Sequence, residues 1–194
     1  MEGIRAASGW AEAPGGWIRI IISSVSPAHD NVATRATPST PTPAAPAPAL
    51  LLGAWDELGD HARAVRTAVF LVEQRIAEEE EWDEWDARAL HAVARDAHGA
   101  PIGTGRLLPP AFDADVRIGH IGRMAVLQSA RRAGVGGALL RALMQAAPAY
   151  GYRAIVLHAQ SYAASFYARH GFVAEGEEFL EVGIPHMKMR ALLP

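Results

Sequence analysis

Seven consecutive residues, Arg131-Arg132-Ala133-Gly134-Val135-Gly136-Gly137, carry the clearest chemistry in the chain. An apolar run that reads as a strand precedes them, and an apolar 3.6-residue periodicity that reads as a helix follows. Such a turn aims free backbone N–H groups outward at the positive end of a helix dipole, an arrangement that suits a diphosphate. Its glycines let the backbone approach a ligand with no Cβ in the way, and Arg131 and Arg132 add positive charge beside it. Two common phosphate-binding patterns are excluded by residue type. A P-loop ends in Gly-Lys-Ser/Thr, whereas Lys188 is the only lysine beside seventeen arginines. The dinucleotide fingerprint requires a third glycine where Leu139 stands.

A second group of residues could move protons or hold charge. Glu73, His91, His120 and His158 are candidates for a general base, and each has a competing structural role. From Glu73 to Asp86, eight carboxylates fall in fourteen residues, opposed only by Arg75. Two readings of this run stay open. As a binding site it attracts a cation such as a polyamine, an amino sugar or a lysine side chain, with Trp82 and Trp85 adding cation–π contacts. As a solvated face it points its acids at water while both tryptophans anchor the segment. The eight histidines show neither H-x-x-x-H nor H-E-x-x-H spacing, so no metal site is expected. No G-x-S-x-G elbow occurs, which argues against a serine hydrolase.

The elements that must position these residues begin after a break in composition. Residues 1–46 hold clustered prolines with Ser, Thr and Ala, and read as a disordered Pro/Ala-rich leader in which Ile18 to Val25 could form one strand. Residues 47–194 read as a single domain. Leu50 to Leu52 suits a short buried strand, and Asp56 is the expected N-cap of a helix running to about Glu73. Leu90 to Arg95 and Ile102 to Leu108 suit two hairpin strands, followed by another over about Arg117 to Leu127. The glycine turn opens a helix, Ile155 to Ala159 is a strand buried on both faces, and Ser161 is expected to cap a short helix ending at His170-Gly171. Phe172-Val173 and Pro185 to Ala191 complete the strands. The order predicts a mixed-sheet α/β (α+β) domain.

Composition narrows the function further. The chain has 194 residues, a formal net charge of -3 and no cysteine. A disulfide scaffold, a thiolate metal site and a cysteine nucleophile are therefore excluded. The slightly acidic balance argues against a nucleic-acid partner. No apolar stretch is long enough for a membrane span, and the first residues lack the pattern of a secretory signal, so the expected location is cytoplasmic.

Three segments, in order, resemble the GNAT superfamily of acetyl-CoA-dependent acyltransferases. Gly122-Arg123-Met124-Ala125-Val126-Leu127 is similar to its strand before the phosphate turn. Arg131-x-x-Gly134-x-Gly136 is similar to the turn itself, and Ala163 to Phe172 to its A-x-x-F-Y-x-x-x-G-F passage. Val69-Phe70-Leu71-Val72-Glu73-Gln74, the acidic run before His91, Leu157-His158-Ala159-Gln160 and Gly183-Ile184-Pro185-His186-Met187 resemble the ElaA/YjcF-like branch. The likeness runs from about residue 50 to the C-terminus.

The resemblance implies a mixed, mostly antiparallel central sheet with helices on both faces. It implies that backbone groups of Met124, Ala125 and Val126 hold the pantetheine of acetyl-CoA, one N–H facing the thioester oxygen. The turn of Arg131, Arg132, Ala133, Gly134, Val135, Gly136 and Gly137 would hold the pyrophosphate. Transfer would then be direct attack by a primary amine, from a small molecule or a peptide, within a ternary complex, and the absence of cysteine agrees with that route. Tyr167 occupies the general-acid position of many relatives, with Tyr162 the other hydroxyl nearby. Glu73 and His158 are the preferred bases because they fall in branch-like motifs. The alternative is an acyl-CoA-binding sensor or interaction module without transfer. Neither the acceptor's identity nor the oligomeric state follows from these motifs.

Overall fold

Alternation and apolar runs build one sheet from two halves. In the computed structural model, which describes residues 48–194, the first half is an antiparallel meander. It comprises β1 (Ala49–Gly53), β2 (Leu90–Arg95), β3 (Pro101–Leu107) and β4 (Ile118–Val126). The second half is β5 (Ala154–Gln160), β8 (Ile184–Leu192) antiparallel beside it, and β6 (Val173–Ala174) and β7 (Phe179–Glu181), which both pair with β8. β4 and β5 join the halves and form the one parallel pair among the described strands. The leader read over 1–46, with its strand near Ile18, lies outside the described residues. No helix among the described residues is long and apolar enough to cross a membrane.

Helices cover both faces, as expected. α1 (Trp55–Arg66) sets Leu58 and Ala62 against Val93. α3 (Val135–Ala146) packs Leu139, Leu140 and Leu143 in one cluster with Ala92, Ala94, Ile155 and Leu157. Val93 points the opposite way from its strand neighbours Ala92 and Ala94, so α1 and α3 lie on opposite sides of the sheet.

Local details differ from expectation where tertiary packing overrides sequence cues. α1 begins at Trp55 with Ala54 as an extended N-cap and no side-chain cap, so Asp56 sits inside the first turn. There Asp56 and Glu57 face the positive helix end, and Trp55 is drawn into the helix by packing on His91 at 4.9 Å between rings. The helix also does not stay α to Glu73. From Thr67 to Glu73 it widens into a π-helix that closes with Gln74 N–H on Val69 O at 3.0 Å. Ser161 caps nothing. It opens a short turn, its hydroxyl donates to Glu178 at 2.5 Å, and α4 (Ala164–Ala168) starts after Ala163 without a side-chain cap.

Neither reading of the acidic run describes its inner half. Glu78, Glu79, Glu80 and Glu84 are exposed, but Glu81 is 2% and Asp86 4% exposed. Glu81 ends the single-turn α2 (Glu78–Glu81). Arg66, itself 1% exposed, donates from Nε to Glu81 at 2.5 Å and from Nη1 to Asp86 at 2.7 Å. Arg106 on β3 donates to the same Asp86 oxygen at 2.6 Å and bidentately to Asp83 at 2.7 and 2.6 Å. Trp82 stacks under Arg63 and Arg66, at 4.5 and 4.6 Å, so its cation–π partners come from within the protein. Burial pushes the Glu81 carboxyl up, against the charges of Arg66, Arg123 and Arg106. At Asp83 burial acts the same way, but Arg106 and Arg123 outweigh it and hold the carboxyl below its ordinary range.

This network ties α1, the acidic segment and β3 into one block. Removing Arg66 would break its buried pairs with Glu81 and Asp86, leaving Asp86 to Arg106 and Glu81 to the longer contact from Arg123, a loss of about 3–5 kcal/mol for a broken buried pair. Arg66→Ala is therefore expected to lower the unfolding free energy by about that amount in urea titration, and unchanged stability would contradict the role given to the network.

Candidate active site

β4 and β5 pair only at Ile118 with Ala154, Gly119 with Ile155 and His120 with Val156. Beyond that point the strands diverge. β4 shifts register against β3 between Thr104 and Arg106, and Arg123 adopts φ 52 within it. Such bulges bend a strand and are frequent beside functional sites. Arg123 is held in this conformation from the acidic segment: its guanidinium donates to Glu81 O at 3.2 Å and Glu80 O at 3.3 Å, and meets Asp83 at 3.4 Å.

Past the bulge, the three residues expected to hold the pantetheine line the gap in alternation. Met124 packs with the α3-side cluster, and Ala125 is buried under Val65, Val69 and Phe70. Leu127 N–H donates to Ile102 O at 3.0 Å. A trans peptide points its N–H and C=O in opposite directions, so Val126 O faces away from β3, into the gap. Arg131 Nε donates to that carbonyl at 3.0 Å.

The glycine turn has the geometry its residue types suggest. Arg131 to Gly134 are exposed, and Gly134, with φ 78, is the N-cap of α3. That left-handed conformation costs a residue with a side chain about 1–2 kcal/mol. Gly134 O accepts the first helical bond from Ala138 N–H, which leaves the N–H groups of Val135, Gly136 and Gly137 without helical acceptors. No side chain caps them. A Cβ at Gly136 would lie in ordinary contact with Phe166 at 3.5 Å and Val126 at 3.7 Å, whereas one at Gly134 would meet nothing within 4 Å, so the open space at this helix end lies outside Gly134. Arg132, at φ 66, makes no ion pair among the described residues.

The two proton-transfer candidates lie on opposite faces of the sheet. Tyr167 on α4 is 9% exposed and packs edge-on against Phe166 and Phe172 within the α3-side cluster. Burial pushes its hydroxyl up to about 12. The hydroxyl has no partner among the described residues and is not one of the sealed, unpaired polar atoms. His158 lies two residues beyond the last β4-paired position, on the face opposite Leu157 and Ala159. Its Nδ1 is 2.9 Å from Glu181 Oε2, and its ring meets Phe179 edge-on. The hydrogen bond and charge of His158 lower the Glu181 carboxyl, which is then ionised and acceptor-only. Nδ1 must carry the donated proton, leaving the Nε2 lone pair free in the neutral ring.

Glu73 has a different setting. It ends the π-helical segment and takes both Arg131 Nη groups, at 2.7 and 2.5 Å. These bonds hold its carboxyl below its ordinary range. The pair borders a cleft of about 370 Å³ shared with Gln74, Gln160, Tyr162 and Ile184. Two other histidines are placed elsewhere. His91 is buried, donates to Asp86 O at 2.8 Å, and is lowered by desolvation. His120 donates to Asp113 at 2.6 Å where β4 and β5 are still paired. Sequence reasoning missed Glu181, because the three-residue β7 leaves no legible period. It also passed over Arg123, Gln74 and Gln160, although all three stand inside the motifs that carried the family resemblance.

The family described as "Acetyltransferase (GNAT) domain" matches residues 60–193. The chain is 40% identical over 126 residues to the "Uncharacterized N-acetyltransferase YjcF" of Bacillus subtilis, spanning 64% of this chain and 86% of that protein. The crystal structure of an acyl-CoA N-acyltransferase from Pseudomonas aeruginosa superposes with a TM-score of 0.65 at 31% identity, covering 75% of this chain and 99% of that one. Escherichia coli ElaA matches in fold with a TM-score of 0.65 at 24% identity, over 74% of this chain and 99% of that one.

The bare backbone at Gly136, beside the free N–H groups of the helix end, generates a test. Gly136→Trp is expected to abolish acetyl-CoA binding in calorimetry while the protein stays folded by circular dichroism. Retained affinity would show that the helix end does not hold the donor's phosphates.

Proposed function

The chain belongs to the GNAT acetyltransferase family, on its ElaA/YjcF-like branch, and from that premise we propose that it moves an acetyl group from acetyl-CoA to a primary amine in a ternary complex. Membership makes it an acyltransferase; the donor, the acceptor class and the residue roles are the proposed part. The observation that supports them most is the gap beyond His120 and Val156, with Val126 O facing into it and an uncapped α3 beside it.

In this reading the N–H groups of residues 132–137 take the pyrophosphate, with Arg131 and Arg132 adding charge. The pantetheine lies along Met124, Ala125 and Val126, where a strand N–H steadies the oxyanion formed as the amine attacks. Arg131 Nε must share or leave Val126 O for a pantetheine amide to reach that carbonyl.

The amine loses one proton to a base, and the sulfur leaves as a thiolate that takes its own proton afterwards from solvent. His158 Nε2 takes the amine's proton, directly or through water, with Glu181 fixing the tautomer and stabilising the imidazolium. Glu73 is the other carboxylate near the cleft, but a group lowered by a bidentate arginine is a poor base. Tyr167 donates to the sulfur. A thiol titrates near ~8.5, well below this phenol, so Tyr167 stabilises the thiolate mainly as a hydrogen-bond donor whose proton is always present. Acid and base then act from opposite faces of the sheet through the gap between β4 and β5.

The raised value sets the sign of the pH dependence. A hydroxyl that titrates at about 12 keeps its active, protonated form through the whole alkaline range below that value. Tyr167→Phe is therefore expected to lower kcat about 10-fold or more with acetyl-CoA affinity unchanged. The wild-type profile should show no alkaline loss near ~10, the value of a free phenol. A kcat equal to wild type, or a loss near pH 10 that vanishes in the variant, would contradict this assignment.

A further inference from the structure

The two halves of the sheet are joined by a short hinge. β5 is laddered to β8 along its whole length, from Ala154 with Leu192 to Gln160 with His186. It is laddered to β4 at three positions only. What fixes the distance between the two strand tips is therefore whatever bridges the open end.

Two consecutive residues do so. Glu73, last in the π-helical segment, reaches the β4 side through Arg131. Gln74 reaches the β5 side through a reciprocal amide pair with Gln160: Gln74 Nε2 donates to Gln160 Oε1 at 3.2 Å, and Gln160 Nε2 donates to Gln74 Oε1 at 3.0 Å. Each primary amide offers a donor and an acceptor in one plane, so the paired bonds fix orientation as well as distance. The helix that carries both residues is held to the β1–β4 half by Val65, Val69 and Phe70 against Ala125. Gln160 is the last residue of β5 and leads directly through the Ser161–Ala163 turn into α4, which carries Tyr167.

We infer that Gln74 and Gln160 are positioning residues for acyl transfer: their amide pair sets the separation of β4 and β5 at the open end, and with it the reach from a thioester along β4 to the Tyr167 hydroxyl. This rests on the acetyl-transfer reading above. It assigns neither glutamine a contact with the reacting atoms. Their effect is geometric and falls on the chemical step, because small misplacements of reacting groups cost rate steeply.

Two measurements test it. In steady-state kinetics, Gln74→Ala and Gln160→Ala should each lower kcat about 10-fold with the KM for acetyl-CoA nearly unchanged. The double variant should fall no further than the worse single one, because both remove one shared bridge. Unchanged kcat, additive losses or a rise confined to KM would overturn the inference. The second measurement needs no turnover. The chain has no cysteine, so spin labels at Ser129→Cys and Ser165→Cys, both exposed, report the distance between the loop after β4 and α4 in the full chain. Gln74→Ala should broaden that distribution, and Gln74→Lys combined with Gln160→Glu, which restores a bridge, should narrow it again. A distribution that Gln74→Ala leaves unchanged overturns the inference whatever the kinetics. Wild-type protein that releases no thiol from acetyl-CoA with any amine refutes the acetyl-transfer reading, and the label distances then decide the bridge on their own.

Discussion

The parallel ladder between β4 and β5 ends after three residue pairs, and the candidate functional groups gather where it ends. A strand released from its neighbour must satisfy its backbone groups elsewhere or leave them for a ligand. Here β4 turns away at Arg123, whose left-handed backbone is held by bonds into the acidic segment. That segment is in turn fixed by Arg66 and Arg106. The opening in the sheet thus depends on an ionic block on the α1 face, at a distance from the groups that would carry the chemistry. On the β5 side the opening is limited by Gln74 and Gln160.

The same block changes what the acidic run can do. Glu81, Asp83 and Asp86 are consumed by arginines and cannot serve as a free attractor for a cationic acceptor. The carboxylates that remain exposed, Glu78, Glu79, Glu80 and Glu84, are surface charges that salt screens. Near the gap, Glu73 is neutralised by Arg131 and Glu181 is engaged by His158. The cleft therefore presents amides, a tyrosine and an arginine-paired carboxylate more than bare negative charge.

What was legible in the sequence was whatever lies in contiguous residues. The glycine turn, the strand before it and the block around Tyr167 each encode backbone geometry or packing through local residue types, so their places in the fold could be read directly. The apolar runs gave every long strand for the same reason. The ionic block was not legible, because Arg66, Arg106 and Arg123 meet acids fifteen to forty-two positions away, a pairing that only the sheet order creates. A dense acidic run looks alike whether solvated or buried until its partners are placed. The π-helical segment escaped notice because its apolar residues also satisfy a 3.6 period, and β7 because three residues are too few to show alternation. Ala54 and Ala163 take N-cap positions without cap chemistry, since packing at Trp55 and the turn after β5 set those starts.

The central claim is that the gap beside β4 and the uncapped end of α3 together receive the acyl donor. Titrating acetyl-CoA into 15N-labelled protein and following the backbone amides tests it directly. The account predicts that shifts concentrate at Val126 and at residues 132–137, with a further response at Gln160 on the opposite wall. Saturable shifts centred instead on Arg117, Arg153 and Arg190, which line a second cleft at the far end of the sheet, or no shifts at saturating donor, would contradict it.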